Sequence, residues 1–449
     1  MNEPRFSLPL TLRLSSFHIG SAMVDILVAS VWNQVMIADF HTPAGGVGLL
    51  LALRYFLSPL SIWAGFRSDS RPLWGLRRTP YIWLGRLMIV LALPLLGLSM
   101  YRFAGNSGDW LGWALAVGCF LIYGMGTLLS GSTYLALVRD TAPLEKQGLS
   151  ISIVQTVLIV FFPISAFIYS RWMETFDLAT FEQMVLVTAA IGAFFWFASI
   201  VGVEKRQVGE SQPAPAANAH ANFTITFKKV WQDLRTRRFL IFFSLATLAA
   251  WSQDAILETY GRDVFDLSVG QATDFNRIWL GMTVITLIGS ALIWRSRPPE
   301  RHTSIAAGGL AVMTTGMGLL AVAAFTAQIR LVEAALALFG AGFGVYTFGG
   351  LNLMAVMTTP REAGAYLGMW TVVELVCKGS GTFLGGLLRD IFLAVTQQPG
   401  LSYSLLFALA TTGLAAAVIV LLRIDVLGWA RDTGRIGPAQ LEPLPVSLD

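Results

Sequence analysis

Long apolar stretches, each closed off by charges or by clusters of Pro and Gly, recur along the whole chain. Six fall near residues 14–40, 47–65, 81–101, 111–138, 149–169 and 181–203, and six more near 239–260, 275–294, 304–326, 331–357, 365–388 and 403–422. Each is close to the roughly 20 residues that a helix rising about 1.5 Å per residue needs to cross a hydrocarbon core. The runs are continuous and do not alternate with period two, so they do not read as the strands of a barrel. Inside lipid, a helix satisfies its own N–H and C=O groups within one segment. The pattern predicts an all-α membrane protein with twelve transmembrane helices in two six-helix halves.

Composition agrees. Of 449 residues, 55% are hydrophobic and only 13% charged, with a mean hydropathy of +0.64; a water-soluble globule of this size carries far more charge. A pI near 9.1 raises nucleic acid as a partner. The basic residues, however, are scattered over many short loops and form no stripe, so none is expected. Cys119 and Cys377 sit within apolar runs without metal-site spacing and read as small buried hydrophobes. The first run is too long for the apolar core of a cleaved signal peptide and predicts insertion through the first helix.

Lys and Arg resist translocation, and they crowd the loops that share a side with the amino terminus. That places both termini and the long central loop in the cytoplasm. The chain divides into an N-terminal bundle (1–203), a cytoplasmic linker (204–238), a C-terminal bundle (239–423) and a tail (424–449). Residues 209–221 of the linker are rich in Pro, Ala, Ser and Asn and read as flexible. Its end mixes Phe227, Val230, Trp231 and Leu234 with Lys228, Lys229, Arg235, Arg237 and Arg238. This is the make-up of a helix lying on an anionic membrane face, or of a solvated lead-in to the seventh span.

The halves echo one another. Thr141-Ala142-Pro143-Leu144-Glu145 follows the fourth span and Thr358-Thr359-Pro360-Arg361-Glu362 the tenth. Asp25 in the first span corresponds to Asp254 in the seventh, each followed by Ile-Leu or Ala-Ile-Leu. Parallel six-helix repeats are the plan of major facilitator transporters. The loop after span two, Gly65-Phe66-Arg67-Ser68-Asp69 and then Gly75-Leu76-Arg77-Arg78, resembles that superfamily's signature loop. There glycine permits close helix approach and aspartate pairs with arginine to latch the cytoplasmic side. The insertion of residues 70–74 departs from the usual spacing.

A closer resemblance lies in Trp32-Asn33-Gln34-Val35-Met36-Ile37, Arg78-Thr79-Pro80-Tyr81-Ile82-Trp83, Gln253-Asp254-Ala255-Ile256-Leu257-Glu258 and the turn after span four. These segments look like the PucC/LhaA family, the bacteriochlorophyll-delivery branch of the major facilitator superfamily, and the likeness covers nearly the whole chain. It implies a major facilitator fold in a bacterial inner membrane, cytoplasmic or intracytoplasmic and photosynthetic. It also implies a factor that helps assemble light-harvesting complexes and handles bacteriochlorophyll or a precursor, with antenna polypeptides and pigment-synthesis enzymes as partners. Thr259 stands where the family has proline, which predicts a less kinked seventh helix.

Ionisable groups at bilayer depth are expensive and mark function or a fixed pair. Asp25, Arg54, Asp254, Glu258, Glu374 and Lys378 all fall within about two or three turns of the middle of their spans. In a major facilitator bundle spans one and seven line the central cavity and spans two and eleven adjoin, so Arg54 is expected to meet Glu374. Asp254 with Glu258, and Glu374 with Lys378, share a helix face at four-residue spacing. The acidic pair suits a held proton, which supports a proton-coupled transporter of a small solute as the alternative to an assembly factor. The other role for all six is a neutralised network holding the halves together.

A chlorin would need an axial ligand for its magnesium and apolar, aromatic walls. His18 is the histidine within a span and a candidate ligand, or else an interfacial residue; Asn33, a carbonyl or a water are the substitutes. Trp32, Trp83, Phe161, Phe162 and Trp172 are candidates for a pigment groove, though lipid-facing packing is their commoner use. Gly340, Gly342 and Gly344 lie within a span with no strand before them, so they predict helix packing and no nucleotide loop, as do Gly381 and Gly385. No metal-ligand cluster and no nucleophile with a base is visible, and the chain is expected not to be an enzyme.

Overall fold

The computed structural model describes residues 6–70, 73–204, 219–294, 296–358 and 363–434. Within them, eleven helices are long and apolar enough to cross a membrane. Span 1 begins with Leu8–Ser15 and Phe17–Ile26 and then passes into π-helical turns at Leu27–Trp32 and Val35–Asp39. Span 2 is Ala44–Phe56, continued after a two-residue break by Pro59–Ser70. Spans 3 to 6 are Thr79–Gly105, Trp110–Asp140, Gln147–Trp172 and Leu178–Ala198. Spans 8 to 12 are Val269–Trp294, Thr303–Thr326, Ile329–Val356, Ala363–Thr396 and Pro399–Leu422.

Span 7 stands apart because it is two helices, Leu234–Trp251 and Leu257–Phe265, joined by an irregular turn. Arg235, Arg237 and Arg238 charge its first turns, and the turn cuts its apolar length. A straighter seventh helix, expected from Thr259 in place of proline, is therefore not what forms. Ser and Asp compete with the backbone ladder for hydrogen bonds, and here Ser252 Oγ donates to Ala249 O at 2.8 Å. The break falls before Thr259, at Asp254.

The start of span 1 and the end of span 12 share one face of the bundle, called the near face below; the opposite one is the far face. Span 3 packs on 4 and span 9 on 10, while spans 2 and 11, and 5 and 8, join the halves. Small residues allow this. A Cβ on Gly340 would stand 2.1 Å from Trp279 O, and one on Gly342 2.2 Å from Met313 N, so these glycines pack helices as their sequence context predicts. Cys119 is buried as expected, but Cys377 is only half-buried on span 11.

The linker centre at 209–221 lies almost wholly outside the described residues. A helix, Ala219–Gln232, follows it. Thr226 and Val230 bury against the near ends of spans 7 and 11, while Phe227 and Trp231 stack on one another and stay exposed. At the other end of the linker, Glu204 belongs structurally to the first half: its carboxylate accepts from Arg77 N (2.6 Å), Arg78 N (3.0 Å) and Thr79 N (2.8 Å). An acid there satisfies the orphan N–H groups of span 3 and complements its dipole.

The broken turn of span 7 rests on glycines of span 11. A Cβ would lie 1.8 Å from Ser252 O at Gly385 and 2.5 Å from Leu248 O at Gly381, so any side chain would drive the helices apart. Gly385→Ala is expected to destabilise the protein by roughly 1–3 kcal/mol through overpacking, seen as a lower thermal unfolding midpoint in detergent. Gly281→Ala, where the added carbon meets open space, should not lower it.

Candidate functional site

Spans 1 and 7 lose regular helix beside their aspartates: Asp25 lies two residues before the π-helical turns begin at Leu27, and Asp254 sits in the break. Non-helical backbone at membrane depth persists only where protein or a cavity receives its polar groups. Both occur here. Asn33 Nδ2 donates to Ala255 O at 2.9 Å, across the seam between halves, and Gln34 Nε2 donates to Thr273 Oγ1 at 2.8 Å. Asn33 is therefore a clasp within the packed seam and does not line the cavity.

Beside the clasp is a central cavity of about 280 Å3, lined from both halves by Asp25, Arg54, Asp254, Glu258 and Lys378 together with Trp251. Tyr55, Phe162, Asn276 and Trp279 complete much of its wall. Arg54 Nη1 bonds Asp25 Oδ1 at 2.5 Å and Tyr123 OH at 3.0 Å, and Nη2 reaches Tyr55 OH at 2.7 Å. Tyr123 OH also donates to Asp25 Oδ1. The expected meeting of Arg54 with Glu374 does not occur: spans 2 and 11 do adjoin, but Arg54 turns inward to span 1.

Glu374 and Lys378 attract one another across their shared face but form no direct ion pair among the described residues. The Lys378 ammonium lies 3.3 Å from the centroid of the Trp251 ring and 5.0 Å from that of Tyr55, a cation–π arrangement spanning both halves. Desolvated contacts of that kind are worth about 2 kcal/mol. Glu374 does not line the cavity. Asp254 Oδ2 accepts from Thr382 Oγ1 at 3.1 Å.

Glu258 is buried and accepts a hydrogen bond from Asn276 Nδ2. Asn276 Oδ1 in turn accepts from Trp279 Nε1 at 2.8 Å, which fixes which way the amide points. Sequence reasoning missed Asn276 and Trp279. Asn276 stands among Gln271, Asp274 and Arg277 at the start of span 8, so in the sequence it reads as part of the polar end of that span.

Several other candidates lie elsewhere. His18 is buried in the first half with edge-on contacts to Phe17 and Tyr134 at 5.6 and 5.2 Å, and it does not reach the cavity. Arg86 lies over Phe17 and Trp196 in the same core. Trp32 is fully buried against Phe120, and Phe161, unlike Phe162, is not a lining residue. These are packing roles, set by which face of each span points inward.

In the signature loop, the side chains of Gly65 and Asp69 lie outside the described residues. Gly75 takes a φ of +75° in a tight turn with Trp74, closed by mutual bonds between Leu73 and Leu76 at 2.9 Å. Arg78 binds Ser68 Oγ at 2.8 Å and Asp140 Oδ2 at 3.4 Å. Arg77 and Arg78 donate through their backbone to Glu204. Of the paired turns, Pro143 precedes a short 3-10 turn, Leu144–Lys146; most of its counterpart, 359–362, lies outside the described residues.

Polar links between the halves gather toward the far face. Arg262 pairs bidentately with Asp39, Gly45 N donates to Asp390 Oδ2 at 2.8 Å, and Gly270 N donates to Glu174 O at 3.1 Å. Spans 5 and 8 thus touch at their far ends. Toward the near face an apolar slot of about 100 Å3 separates Ile159 and Val160 from Val284, Leu287 and Ile288.

Residues 31–428 match the family model "PUCC protein". The chain is 30% identical over 397 residues to Protein PucC of Rhodovulum sulfidophilum, covering 85% of this chain and 86% of that one. It is 24% identical to the "Bacteriochlorophyll synthase 44.5 kDa chain" of Rhodobacter capsulatus, over 90% of this chain and 95% of the other. Among solved structures, a POT family transporter in complex with a thioalcohol-conjugated peptide superposes with a TM-score of 0.70 at 13% identity. That match covers 93% of this chain and 96% of the transporter. The fold is the major facilitator fold.

Asp25 and Arg54 neutralise one another in the cavity wall, so removing one partner should leave an uncompensated charge. Arg54→Ala is expected to cost about 3–5 kcal/mol, while the double variant Asp25→Asn with Arg54→Gln should recover much of it. Thermal unfolding of the three proteins in one detergent measures this. Equal stability of Arg54→Ala and the wild type would refute a structural role for the pair.

Proposed function

The chain belongs to the PUCC protein family, and we propose from this premise that it is a membrane assembly factor for photosynthetic light-harvesting complexes. In this role it holds bacteriochlorophyll or a precursor and passes it to antenna polypeptides. Family membership carries the proposal, and the name of the Rhodobacter capsulatus relative points the same way. The site is suited to it. Its walls join aromatic rings, Trp251, Trp279 and Phe162, to a few placed polar groups, the usual make-up of a small-molecule site.

The apolar slot between spans 5 and 8 begins one turn from Phe162 and Leu280 of the cavity wall. A hydrocarbon tail leaving the cavity there would pass into lipid without crossing a polar surface. The far face is closed by Asp39 with Arg262, so cargo enters from the near face or through this slot. By the bias of Lys and Arg, the near face is cytoplasmic. Pigment-synthesis enzymes and single-span antenna polypeptides are the partners that such a carrier would meet. The chain itself carries, and no reaction is assigned to it.

A second reading, symport of a small solute with protons, draws on the buried carboxyl of Glu258 beside Asp254. The two separate experimentally. Purified gently from a phototrophic host, the protein should carry a pigment absorption spectrum and co-purify with antenna polypeptides; loss of both would sink the assembly proposal. Solute uptake into proteoliposomes driven by a pH gradient, and abolished by Asp254→Asn, would establish the transporter instead.

A further inference from the structure

We propose that the helix Ala219–Gln232 is seated in the headgroup layer of the near leaflet, its aromatic flank against acyl chains and its basic residues against anionic lipid headgroups. Two fates were open to this segment in the sequence, a helix on a membrane surface or a solvated lead-in to span 7, and its packing favours the first. The proposal is independent of the pigment reading.

The course of the helix comes from the corner that follows it. Asp233 has extended backbone, with φ of −85° and ψ of 128°, and its carboxylate caps span 7 by accepting from Arg235 N and Thr236 N. The chain turns there, and Thr236 Oγ1 donates back to Val230 O at 2.9 Å to hold the corner. A helix that turns off a span at its near end, and packs on the ends of both span 7 and span 11, lies across the bundle and does not prolong span 7 into water.

Thr226 and Val230 form the side buried in that packing. The next side round the helix is apolar and open. Phe227 stacks on Trp231, which is 50% exposed, and Leu234 at the start of span 7 is 47% exposed. Spacings of four and then three residues put these side chains in one line. Ile241, seven residues further on, is exposed on span 7 and prolongs it. The aromatic flank is thus continuous with the lipid-facing surface of a span, at the level where tryptophan is enriched.

Charge selects the headgroup. Residues 225–238 hold Lys228, Lys229, Arg235, Arg237 and Arg238 against a single acid, Asp233, whose carboxylate is taken up by the cap. Arg235 is committed to Asp432 and Arg238 to the carbonyl of Arg423. Lys228 and Lys229 are exposed on the helix itself, Lys228 beside the aromatic flank. A helix with an apolar aromatic side and lysines on its polar side binds an anionic membrane surface.

The test uses the full-length protein with Cys119→Ala and Cys377→Ala, carrying a bimane fluorophore on Trp231→Cys or on Gln232→Cys, in nanodiscs of phosphatidylcholine with or without phosphatidylglycerol. Gln232 is exposed on the side away from the aromatic flank. Phe227→Cys reports on the same flank if Trp231→Cys does not elute as a single species. At position 231, lipid spin-labelled high on its acyl chain is expected to quench more than aqueous iodide does, and at 232 iodide should prevail. Phosphatidylglycerol should raise the lipid quenching at 231 and added salt should lower it. Lys228→Gln with Lys229→Gln should abolish the phosphatidylglycerol effect, since each basic residue near an anionic surface favours contact by about five-fold. Iodide access at 231 equal to that at 232 means a solvated lead-in, and shielding of 231 from both quenchers means a second copy of the chain on the flank. Lipid quenching indifferent to phosphatidylglycerol leaves the charges without a role. Each of these three results overturns the proposal.

Discussion

The ion pair between Asp25 and Arg54 shows the constraint on which the rest of the structure depends: in a bilayer core, every polar group must find its partner inside the protein. At 2.5 Å, with Tyr123 and Tyr55 as further partners, the pair is neutralised within spans 1, 2 and 4. The second half solves the same problem differently. Asp254 leans on a threonine, Lys378 on an indole ring, and Glu258 on an amide. In the cavity wall the first half therefore contributes a closed charge pair and the second a set of partly engaged groups, while elsewhere in the second half Arg389, Asp263 and Tyr403 form a closed cluster of their own.

The cavity is accordingly lined by charged groups from both halves. The π-helical turns of span 1 and the break in span 7 meet at the seam, where Asn33 ties the first half to Ala255. Breaking a helix at membrane depth exposes backbone, and the glycines of span 11 let another helix come close enough to cover it. Closure of the far face by Asp39 with Arg262, and the parting of spans 5 and 8 toward the near face, follow as one arrangement.

The membrane class, the spans and the two halves were legible in the sequence because hydrophobic length and repeat spacing are local properties of the chain. So were the positions of the intramembrane charges, and the packing role of Gly340, Gly342, Gly381 and Gly385. The PUCC resemblance was legible too, in Arg78–Trp83 and Gln253–Glu258, since a family signature needs no coordinates. Even the correspondence of Asp25 with Asp254 held a meaning that only the backbone revealed, because both mark departures from α-helix.

Partner choice was not legible. Four-residue spacing put Lys378 and Glu374 on one face, yet the rotation of span 11 turns the ammonium onto Trp251. Adjacent spans suggested Arg54 with Glu374, yet Arg54 points to Asp25. His18 and Trp32 were attractive by residue type but face the packed interior of the first half, and Glu204, assigned by composition to the linker, caps span 3. The sequence by itself determined that the charged groups of spans 1, 2, 7 and 11 fall within apolar runs and must be satisfied. Only the tertiary structure decided which group satisfies which, because helix rotation, the break in span 7 and the approach of the two halves set distances that the order of residues along the chain does not contain.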